Sequence, residues 1–542
     1  MPKTQACCVK CRFDVTTPVT RFTDAPSPFR TLISTNGVAS ASDDDLLSNY
    51  LQGVEADISA QDDIIRHIEA ALKKAQDERN RLRGIFDRHA ALRSPFRRFP
   101  PEVLTEIFHW AIAVPPRRPP KDLRELIANL SRIGAVCRLW RAAVLSSPSL
   151  WANLSFSCIG NKDLMPLLQT VLDRSREASL RIGWHSMLDV TEEEERVCLE
   201  RVLSTSQRWT HAWIELSESN EDIYAQIRGR LPKLERLELF GDYLGDEAGN
   251  SSIFSAFEDA PQLRTLALGH GTLFVQELAL PWTQITSLYI ESVIELDNLG
   301  LMLSMTRNLQ FLNLTHPQTD GCTDRWEPGN LEDIVTCPSL RRVHTWDAAL
   351  LRAFTFPSLE KLAVEALGEL DCLAEDHKSA EDIFHDFLDR SGSPIKKLEL
   401  GLITNHFDFR RMFDKAFRLT HLDIVLPCPS TAEQFFRALV LTGGHDVLPE
   451  LQSLKADYVA KAYGRRRDIS LDAIVDMIVS RRYVPSTAVA EIRSVHITSP
   501  RFSTINRMSF RSRLRNFPDL SDIILTRHEK DRSLICMVRP SG

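Results

Sequence analysis

Residues 231–240 read LPKLERLELF, and the hexapeptide LERLEL at 234–239 returns in altered form along the chain. Its leucines occupy relative positions 0, 3 and 5, with charged residues between them. Ten further segments follow this apolar template, at 263–268, 285–290, 309–314, 340–345, 359–364, 395–400, 419–424, 451–456, 492–497 and 520–525. A weaker precursor, WTHAWIEL, occupies 209–216. The pattern predicts one structural unit repeated many times.

Successive copies of the template begin between 19 and 41 residues apart. Their mean spacing lies near the period of a leucine-rich repeat, roughly 20–29 residues. Apolar residues at positions 0, 3 and 5 turn inward around a short parallel strand, and no single repeat can bury them alone. Amphipathic segments between the copies, at 251–260, 380–390, 431–441 and 470–480, predict helices on the outer side.

The predicted fold class is α/β: an N-terminal heptad helix, a small all-α domain, and then a solenoid with parallel strands and outer helices. The usual asparagine ladder is missing, and Asn313 alone stands in a strand core, so the solenoid predicted over 157–530 is irregular. Residues 1–43, rich in Thr, Ser, Pro and Asp, are predicted to be a disordered tail, and 531–542 a C-terminal tail.

A heptad pattern runs through residues 44–92. Alternating steps of four and three residues place apolar side chains at Leu47, Leu51, Val54, Ile58, Ile65, Ile68, Leu72, Leu82 and Phe86, in charged surroundings. Such a stripe is buried against a partner helix in a coiled coil, which would allow the chain to self-associate. The alternative is a single amphipathic helix folded back on its own chain.

Three motifs follow: FPPEVLTEIF at 99–108, VCRLWR at 136–141 and SPSLWANL at 147–154. Prolines before Glu102 suit a helix start, and Val103, Leu104, Ile107, Phe108 and Ala111 give that helix a wide apolar face. Faces this broad cannot all be covered within about 50 residues. Part of this surface is therefore expected to bind a partner.

The motifs resemble an F-box, in a form frequent among fungal F-box proteins, over 94–156. The resemblance implies docking to a Skp-type adaptor and, through it, to a cullin. By motif position it assigns adaptor contacts to Pro100, Pro101, Glu102, Leu104, Ile107, Phe108, Val136, Cys137 and Trp140. The PPRRPP insertion at 115–120 and the long gap between motifs depart from the family pattern. The alternative is that these apolar residues form the core of a small helical domain.

The concave side of a solenoid, formed by its parallel strands, is the expected client surface. Candidate client-binding residues lie between the inward apolar positions: Arg236, Glu238, Arg264, Arg342, His344, Lys361, Lys397 and His421. The same mixed charge is also found on any solvated strand face.

Composition excludes several classes of function. A net charge of −7 argues against a general nucleic-acid binder. No stretch approaches the roughly 18 apolar residues of a membrane span, and an apolar signal region is not apparent. Eleven cysteines, mostly isolated in apolar segments such as Cys198, Cys337 and Cys372, indicate buried thiols in the cytoplasm or nucleus.

Phosphate loops, GxSxG and HExxH motifs were not found, so neither a cofactor nor enzymatic activity is expected. We interpret the chain as the substrate-recognition adaptor of a Skp–cullin–F-box ubiquitin ligase, with the repeats holding a client protein. The alternative is a leucine-rich-repeat interaction scaffold outside any ligase. Fold alone does not name the client.

Overall fold

The structure is a computed structural model. It describes residues 27–35, 37–112, 123–156, 164–185, 192–216, 218–240, 253–269, 278–291, 296–314, 335–348, 350–366, 380–392, 394–402, 407–443, 446–458, 471–482, 489–498, 523–529 and 532–537. Residues 1–26, the PPRRPP insertion and Cys372 lie outside these ranges. The chain divides into two compact units, Met1–Leu104 and Thr105–Gly542.

The first unit is dominated by one long helix. A short helix α1 (Arg30–Thr35) precedes α2 (Ala41–Ala90), and two 3-10 turns follow at Ala91–Arg93 and Pro95–Arg98. The start of α2 is capped by Asp43, whose carboxylate accepts hydrogen bonds from the backbone nitrogen of Ser40 at 3.0 Å and from its hydroxyl at 2.5 Å. No residue of α2 is buried.

The short helices of the all-α region follow α2. They are α3 (Pro101–Ile112), α4 (Leu123–Ala135) and α5 (Arg138–Ser146), followed by a 3-10 turn at Pro148–Trp151. Leu123, Leu126, Leu130 and Gly134 are the buried residues of α4, spaced as one face of a helix. The helices α4 and α5 pack against each other.

The rest of the chain forms one long sheet. Its strands are β1 (Asn153–Phe156), β2 (Leu180–Trp184), β3 (Trp209–Glu215), β4 (Arg236–Phe240), β5 (Thr265–Leu268), β6 (Ser287–Ile290), β7 (Phe311–Leu314), β9 (Arg342–Asp347), β11 (Lys361–Ala366), β12 (Lys397–Leu402), β13 (His421–Leu426), β14 (Ser453–Tyr458), β15 (Ser494–Thr498), β16 (Ile523–Glu529) and β17 (Arg532–Met537). They are hydrogen-bonded in this order, in parallel except for the antiparallel pair β16–β17. Two short strands, β8 (Val335–Thr336) and β10 (Phe354–Thr355), pair separately.

Helices lie between the strands. They are α6 (Leu164–Ser175), α7 (Glu192–Leu203), α8 (Ile253–Ala256), α9 (Leu296–Met305), α10 (Leu350–Ala353), α11 (Ala380–Ser391), α12 (Phe409–Phe413), α13 (Pro429–Ala438) and α14 (Leu471–Arg482). A ten-residue 3-10 segment at Glu218–Ile227 and a short 3-10 turn at Trp282–Gln284 lie between strands in other repeats. Successive helices pack against each other, as α11 does against α12 and α13 against α14. The predicted α/β class, with parallel strands and outer helices, is confirmed.

The template positions explain the sheet. In LERLEL the leucines Leu234, Leu237 and Leu239 are at most 1% exposed. Arg236 and Glu238, on either side of Leu237, point to the other face of the sheet. The register keeps equivalent leucines level, since Leu237 pairs with Leu266 of β5. All eleven template copies overlap a strand. The leucine rows thus form a continuous core that no repeat could build by itself.

Gly401 and Arg481 each make close contacts with a neighbouring segment of the later repeats. Gly401 sits where the register between β12 and β13 shifts, and a Cβ there would run into the backbone carbonyl of Glu365. Arg481 of α14 is 1% exposed. Its guanidinium donates to the backbone oxygens of Leu439 at 2.7 Å, Leu448 at 2.9 Å and Val447 at 2.5 Å. These hydrogen bonds connect α14 to the segment between α13 and β14.

Some elements fall outside the predicted boundaries. Helix α1 lies within 1–43, strand β1 begins before residue 157, and strand β17 lies within 531–542. Within the described ranges, no helix combines the length and the apolar character needed to cross a bilayer.

Candidate functional site

Helix α3 has one buried face. Leu104, Phe108 and Ile112 follow each other at four-residue steps, and they are 0%, 1% and 4% exposed. Residues four apart lie above one another on a helix, so these side chains form a single inward stripe. They support the domain from inside.

Large apolar side chains nevertheless remain on the surface. Trp110 is 81% exposed and Val136 is 61% exposed, while Leu139 is 36% exposed. Ile107, one turn before Trp110, is half-buried. An indole this accessible is unusual, because tryptophan is highly buried on average. These residues give the helical domain an uncovered apolar surface.

The nine predicted adaptor contacts fall into three groups. Pro100, Pro101, Glu102 and Val136 are exposed; Ile107, Cys137 and Trp140 are half-buried; Leu104 and Phe108 are buried. The last two are core residues, which agrees with the alternative that part of the motif serves packing. Sequence reasoning did not select Trp110 or Leu139 as contacts, although both lie in or beside the quoted motifs.

Contacts of α3 with α5 and with the residues that follow α5 hold the motifs together. The rings of Phe108 and Trp140 lie 4.9 Å apart, tilted by 59°. The hydroxyls of Thr105 and Ser147 are hydrogen-bonded at 2.8 Å. His109 Nε2 lies 2.9 Å from the hydroxyl of Ser149, and burial lowers the pKa of His109 against the opposing charge of Glu106.

The all-α region also joins the sheet. Trp151 is 2% exposed, and its Nε1 donates to the backbone oxygen of Val144 at 2.9 Å. The guanidinium of Arg174, on α6, lies 4.5 Å from the centre of the Trp151 ring. Helix α4 contacts both β1 and α6. The first strand and first helix of the repeats are therefore packed on the helical domain.

The second candidate surface is the face of the sheet opposite the leucine rows. Seven of the eight predicted client residues lie on it: Arg236, Glu238, Arg342, His344, Lys361, Lys397 and His421. Arg264 does not, because it precedes β5 and its guanidinium donates to the backbone oxygens of Pro261 at 3.2 Å and Leu263 at 3.0 Å. Strand alternation turns this residue away from the face.

Basic and acidic side chains lie close together across the strands β9 to β14. Lys361 lies 2.5 Å from Glu399, and His344 lies 2.8 Å from Glu365. Lys455 lies 2.8 Å from Asp423 and also contacts Asp457 at 3.0 Å. These partners raise the pKa of Lys455 against its desolvation. Lys361 and Lys455 on this part of the face therefore have acidic partners on neighbouring strands.

Strands β2 to β4 carry a different arrangement. Arg181, His211 and Arg236 are neighbours in the register of three consecutive strands. Arg236 donates to Glu238 at 2.5 Å, but the buried Nε of Arg181 has no hydrogen-bond partner among the described residues. Burial, together with the charges of Arg181 and Arg236, lowers the pKa of His211 to about 4, so His211 is neutral at pH 7.

Aromatic rings lie on the same face of the sheet. Trp213 lies 3.6 Å from Phe240 and 3.8 Å from the ring of His185, measured between ring centres. Arg236 lies 5.1 Å above Tyr289, whose ring is 5.1 Å from that of Phe311. Arg181 was not selected from the sequence, because β2 lacks the repeat template, and the rings on β3, β4, β6 and β7 were not selected either. An alignment of LRIGW at 180–184 with the Arg–Leu–Glu segment at 236–238 would have placed Arg181 level with Arg236.

Neither surface resembles a catalytic or metal centre. Among the described residues, no three His, Cys, Asp or Glu side chains converge as metal ligands. Cys198 and Cys337 are buried free thiols, as predicted, and burial raises their pKa to about 11 and about 12. Thiols with raised pKa are poor nucleophiles at neutral pH.

Comparisons with known proteins give the following. Among curated proteins, none matches this sequence. One similar solved structure is a protein from Bacteroides fragilis, with 14% identity and a TM-score of 0.26, covering 53% of this chain and 81% of that chain. A TLR13–ssRNA13 complex has 16% identity and a TM-score of 0.28, covering 56% of this chain and 46% of that chain. An internalin from Listeria monocytogenes has 13% identity and a TM-score of 0.21, covering 62% of this chain and 83% of that chain. The family model described as F-box-like matches residues 96–157. Residues 96–157 therefore form an F-box-like domain, which the irregular leucine-rich-repeat solenoid follows.

Proposed function

We propose that this protein is the substrate-recognition subunit of a Skp–cullin–F-box ubiquitin ligase. The observation that carries the proposal is the F-box-like match over 96–157, in a domain that leaves Trp110 and Val136 exposed. The F-box-like domain would dock a Skp-type adaptor, and through it a cullin, while the sheet face holds a client. The protein would work in the cytoplasm or nucleus.

The chain would contribute proximity and no chemistry of its own. A client held on the repeats is presented to a catalytic module at high effective concentration, which accelerates transfer without a reactive group on this chain. The neutral, buried thiols of Cys198 and Cys337 are consistent with that division of labour.

The exposed apolar side chains are the expected contacts in the helical domain. Tryptophan is enriched among residues that dominate binding energy, because its large ring fills a partner's pocket and leaves water. Trp110, Val136 and Leu139 are therefore expected to contribute more to binding than the buried Leu104.

A pull-down with a purified Skp-type adaptor tests this role. The variant Trp110→Asp with Val136→Asp places two charges on the proposed contact surface, and should abolish capture because an unpaired charge in an interface is costly. Phe417→Asp is the matched control, since Phe417 is also exposed, at 55%, but lies in the turn before β13. It should bind like the wild type.

If the wild-type chain fails to capture any Skp-type adaptor, the ligase proposal is wrong. The remaining function would then be the interaction scaffold, which needs only the sheet face. If the double variant binds as well as Phe417→Asp, the F-box-like domain docks through another surface.

We also propose that α2 pairs with a second copy of the chain. Its seam residues stay accessible: Leu51 and Ile58 are each 56% exposed, and Ile65 is 51% exposed. A stripe of this kind is stabilised when a partner helix covers it. Self-association would give each assembly two client-binding faces.

A further inference from the structure

We propose that the carboxyl ends of the parallel strands, on the sheet face opposite the leucine rows, bind an extended basic segment of the client. Its lysine or arginine side chains would pair with a row of carboxylates that recurs at every third strand. Such a site deepens the proposed function, because it names the chemistry of the client. It rests on the repeats binding a protein, but it does not need the F-box-like domain to enter a ligase.

Four acidic residues lie level with each other near the carboxyl ends of their strands: Glu215, Glu291, Glu365 and Asp457. One unbroken line of register pairs crosses the sheet from β3 to β14 through Trp213, Tyr289, Ala363 and Lys455. Each acidic residue follows one of these four by two positions, so strand alternation places it on the same outward face. We call these four acidic residues the carboxyl row.

The members of the carboxyl row recur with a constant step. In the order of the sheet, their strands β3, β6, β11 and β14 are each three strands apart, since β8 and β10 pair separately. Neighbouring strands are about 4.8 Å apart, so successive carboxylates are about 14 Å apart along the row. An extended segment that runs across the strands covers this distance in roughly four residues. The step therefore predicts a basic client residue at about every fourth position.

The basic residues of this face lie toward the opposite end of the strands. A second line of register pairs runs from β2 to β13, and its basic members, which we call the amino row, are Arg181, His211, Arg236, Arg342, Lys361, Lys397 and His421. The two rows are four residues apart along a strand, or about 13 Å. From β2 to β15, no described residue level with the carboxyl row is a lysine or an arginine. The carboxyl end of the face is therefore acidic, although its amino end is basic.

Some cations of the amino row are already bonded to carboxylates that lie between the two rows. Arg236 pairs with Glu238, and Lys361 pairs with Glu399. The carboxylates of the carboxyl row lie one step farther along the strands than these partners. A basic client side chain at the carboxyl row would therefore not have to displace either pair.

Glu291 shows why a cation is favoured at this end. Its side chain is exposed, and it makes no ion pair with another described residue. Burial raises the pKa of the nearby Glu238, the charge of Arg236 opposes that effect, and the charge of Glu291 raises the pKa further. Two carboxylates that repel each other are both stabilised by an added positive charge. A client lysine beside Glu291 would supply that charge.

Histidines stand beside two other members of the row. Glu215 lies 3.4 Å from His185, and Glu365 lies 2.8 Å from His344. An imidazole carries charge only when it is protonated, so these contacts lack the permanent charge of a lysine or arginine partner. Both carboxylate side chains also remain accessible, at 33% and 42% exposed.

Aromatic rings lie between the carboxylates. Phe240 pairs with Glu215 in the register, and Trp346, which is 37% exposed, lies beside Glu365 on the neighbouring strand. Lysine and arginine bind over such rings by cation–π attraction, and their alkyl stems cover apolar surface. A Cβ at Gly269 would lie 2.7 Å from the Cβ of Phe240, so this glycine leaves an opening beside the ring. Carboxylates and rings in one row suit basic side chains.

The test is fluorescence anisotropy with the full-length chain and labelled synthetic peptides. The first peptide carries four lysines, one at every fourth position. The second replaces them with glutamine, the third replaces them with glutamate, and the fourth gathers the four lysines at one end. We expect the second and third peptides to bind at least about tenfold more weakly than the first, since they lose several exposed ion pairs. The fourth should bind at least about threefold more weakly, because it reaches fewer carboxylates.

Glu365→Gln and Glu360→Gln form a matched pair of variants. Both side chains are 42% exposed, and the two residues lie at opposite ends of β11. Glu365→Gln should weaken the first peptide about three- to fivefold, the loss expected for one exposed ion pair. Glu360→Gln should leave binding unchanged, because five residues of strand, about 16 Å, exceed the screening length of about 8 Å at physiological salt.

A double variant tests the row as a whole. Glu291→Gln with Glu365→Gln should weaken the first peptide about tenfold or more, because the two carboxylates are three strands apart and their effects add. The melting temperature of this variant should stay within about 2 °C of the wild type, since exposed substitutions change stability little. A retained melting temperature with lost binding separates a client contact from a structural role.

Equal binding of the glutamine or the clustered peptide, or an equal loss with Glu360→Gln, would overturn the inference. So would tighter binding of the glutamate peptide, which would assign the face to the amino row. Glu365→Gln should still capture a Skp-type adaptor. A failed peptide experiment with intact capture would therefore refute the client chemistry and leave the ligase role standing, and peptide binding without capture would do the reverse.

Discussion

The ring of Phe108 lies 4.9 Å from the ring of Trp140, which joins the first and second sequence motifs of the F-box-like domain. Phe108 is 1% exposed, whereas Trp110, two residues later on the same helix, is 81% exposed. Helix α3 thus has a face that holds the domain together and a face that is open to a partner. Stability and binding can be separated by substitutions on one helix.

Phe108→Ala should lower the free energy of unfolding of the domain by about 3–5 kcal/mol, because it leaves a cavity beside Trp140. Trp110→Ala should change it by no more than about 0.5 kcal/mol, since the side chain is already in water. Thermal and urea denaturation of both variants, followed by circular dichroism, provide the comparison. Equal destabilisation by the two substitutions would contradict the assignment of the faces.

Gly401→Ala should destabilise the later repeats by about 1–3 kcal/mol, because the added methyl group runs into the carbonyl of Glu365 and strains the sheet. Gly84→Ala is the control: no atom lies within 4 Å of its added Cβ, and α2 should gain about 1 kcal/mol from the better helix former. Urea unfolding should therefore show effects of opposite sign. A neutral Gly401→Ala would mean that the strand shift relaxes freely.

Arg481→Met should cost at least about 3 kcal/mol, because it leaves the backbone oxygens of Leu439, Val447 and Leu448 without their donor. Arg437→Met removes an arginine that is 70% exposed and paired with Glu433, so it should cost less than about 1 kcal/mol. Hydrogen exchange should show the loss concentrated in α14 and in the segment between α13 and β14. Protection unchanged in that region would argue against the tie.

The pH dependence of stability should include a contribution from His211. Its folded-state pKa, about 4, lies below the ordinary value of 6.5, so the unfolded chain binds the proton more readily. The stability that depends on neutral His211 is fully present above about pH 6.5 and is lost as the pH falls through 4. His211→Gln should lose less stability between pH 7 and pH 4.5, by on the order of 2 kcal/mol.

Urea unfolding of wild type and His211→Gln at the two pH values measures that difference. An identical loss in both proteins would show that His211 titrates normally in the folded chain.

Ile58→Glu with Ile65→Glu should abolish the proposed self-association, because both substitutions place charge in the apolar seam of α2. Ser59→Glu with Arg66→Glu adds acidic residues one position away, beside the seam, and should preserve association. Sedimentation velocity of the full-length proteins distinguishes these outcomes. A wild-type chain that is monomeric at every concentration would refute pairing through α2.

The repeat strands could be predicted because their signal is periodic. All copies of the template but the one ending in Thr345 carry three apolar positions, and burial of Leu234, Leu237 and Leu239 shows why they are required. Strand β2 was not predicted, because LRIGW replaces the outward polar position with Gly183. Strand β17 pairs in the opposite direction, so it follows no repeat pattern.

The candidate sites were only partly predictable. Sequence places Leu104, Ile107 and Phe108 together on an apolar helix, but it does not say which side the domain itself covers. Trp110 lies on the same helix, and the residue type alone does not show whether an apolar side chain is buried or exposed. Arg181 could not be grouped with Arg236 without the register, since 54 positions of chain separate them.

The strand Asn153–Phe156 belongs both to the F-box-like region and to the edge of the sheet, and Arg174 covers Trp151 beside it. A partner docked on the helical domain and a client bound to the sheet would therefore be held by elements that pack directly on each other. Adding or deleting one repeat would change the reach from the dock to the client in steps of about 5 Å.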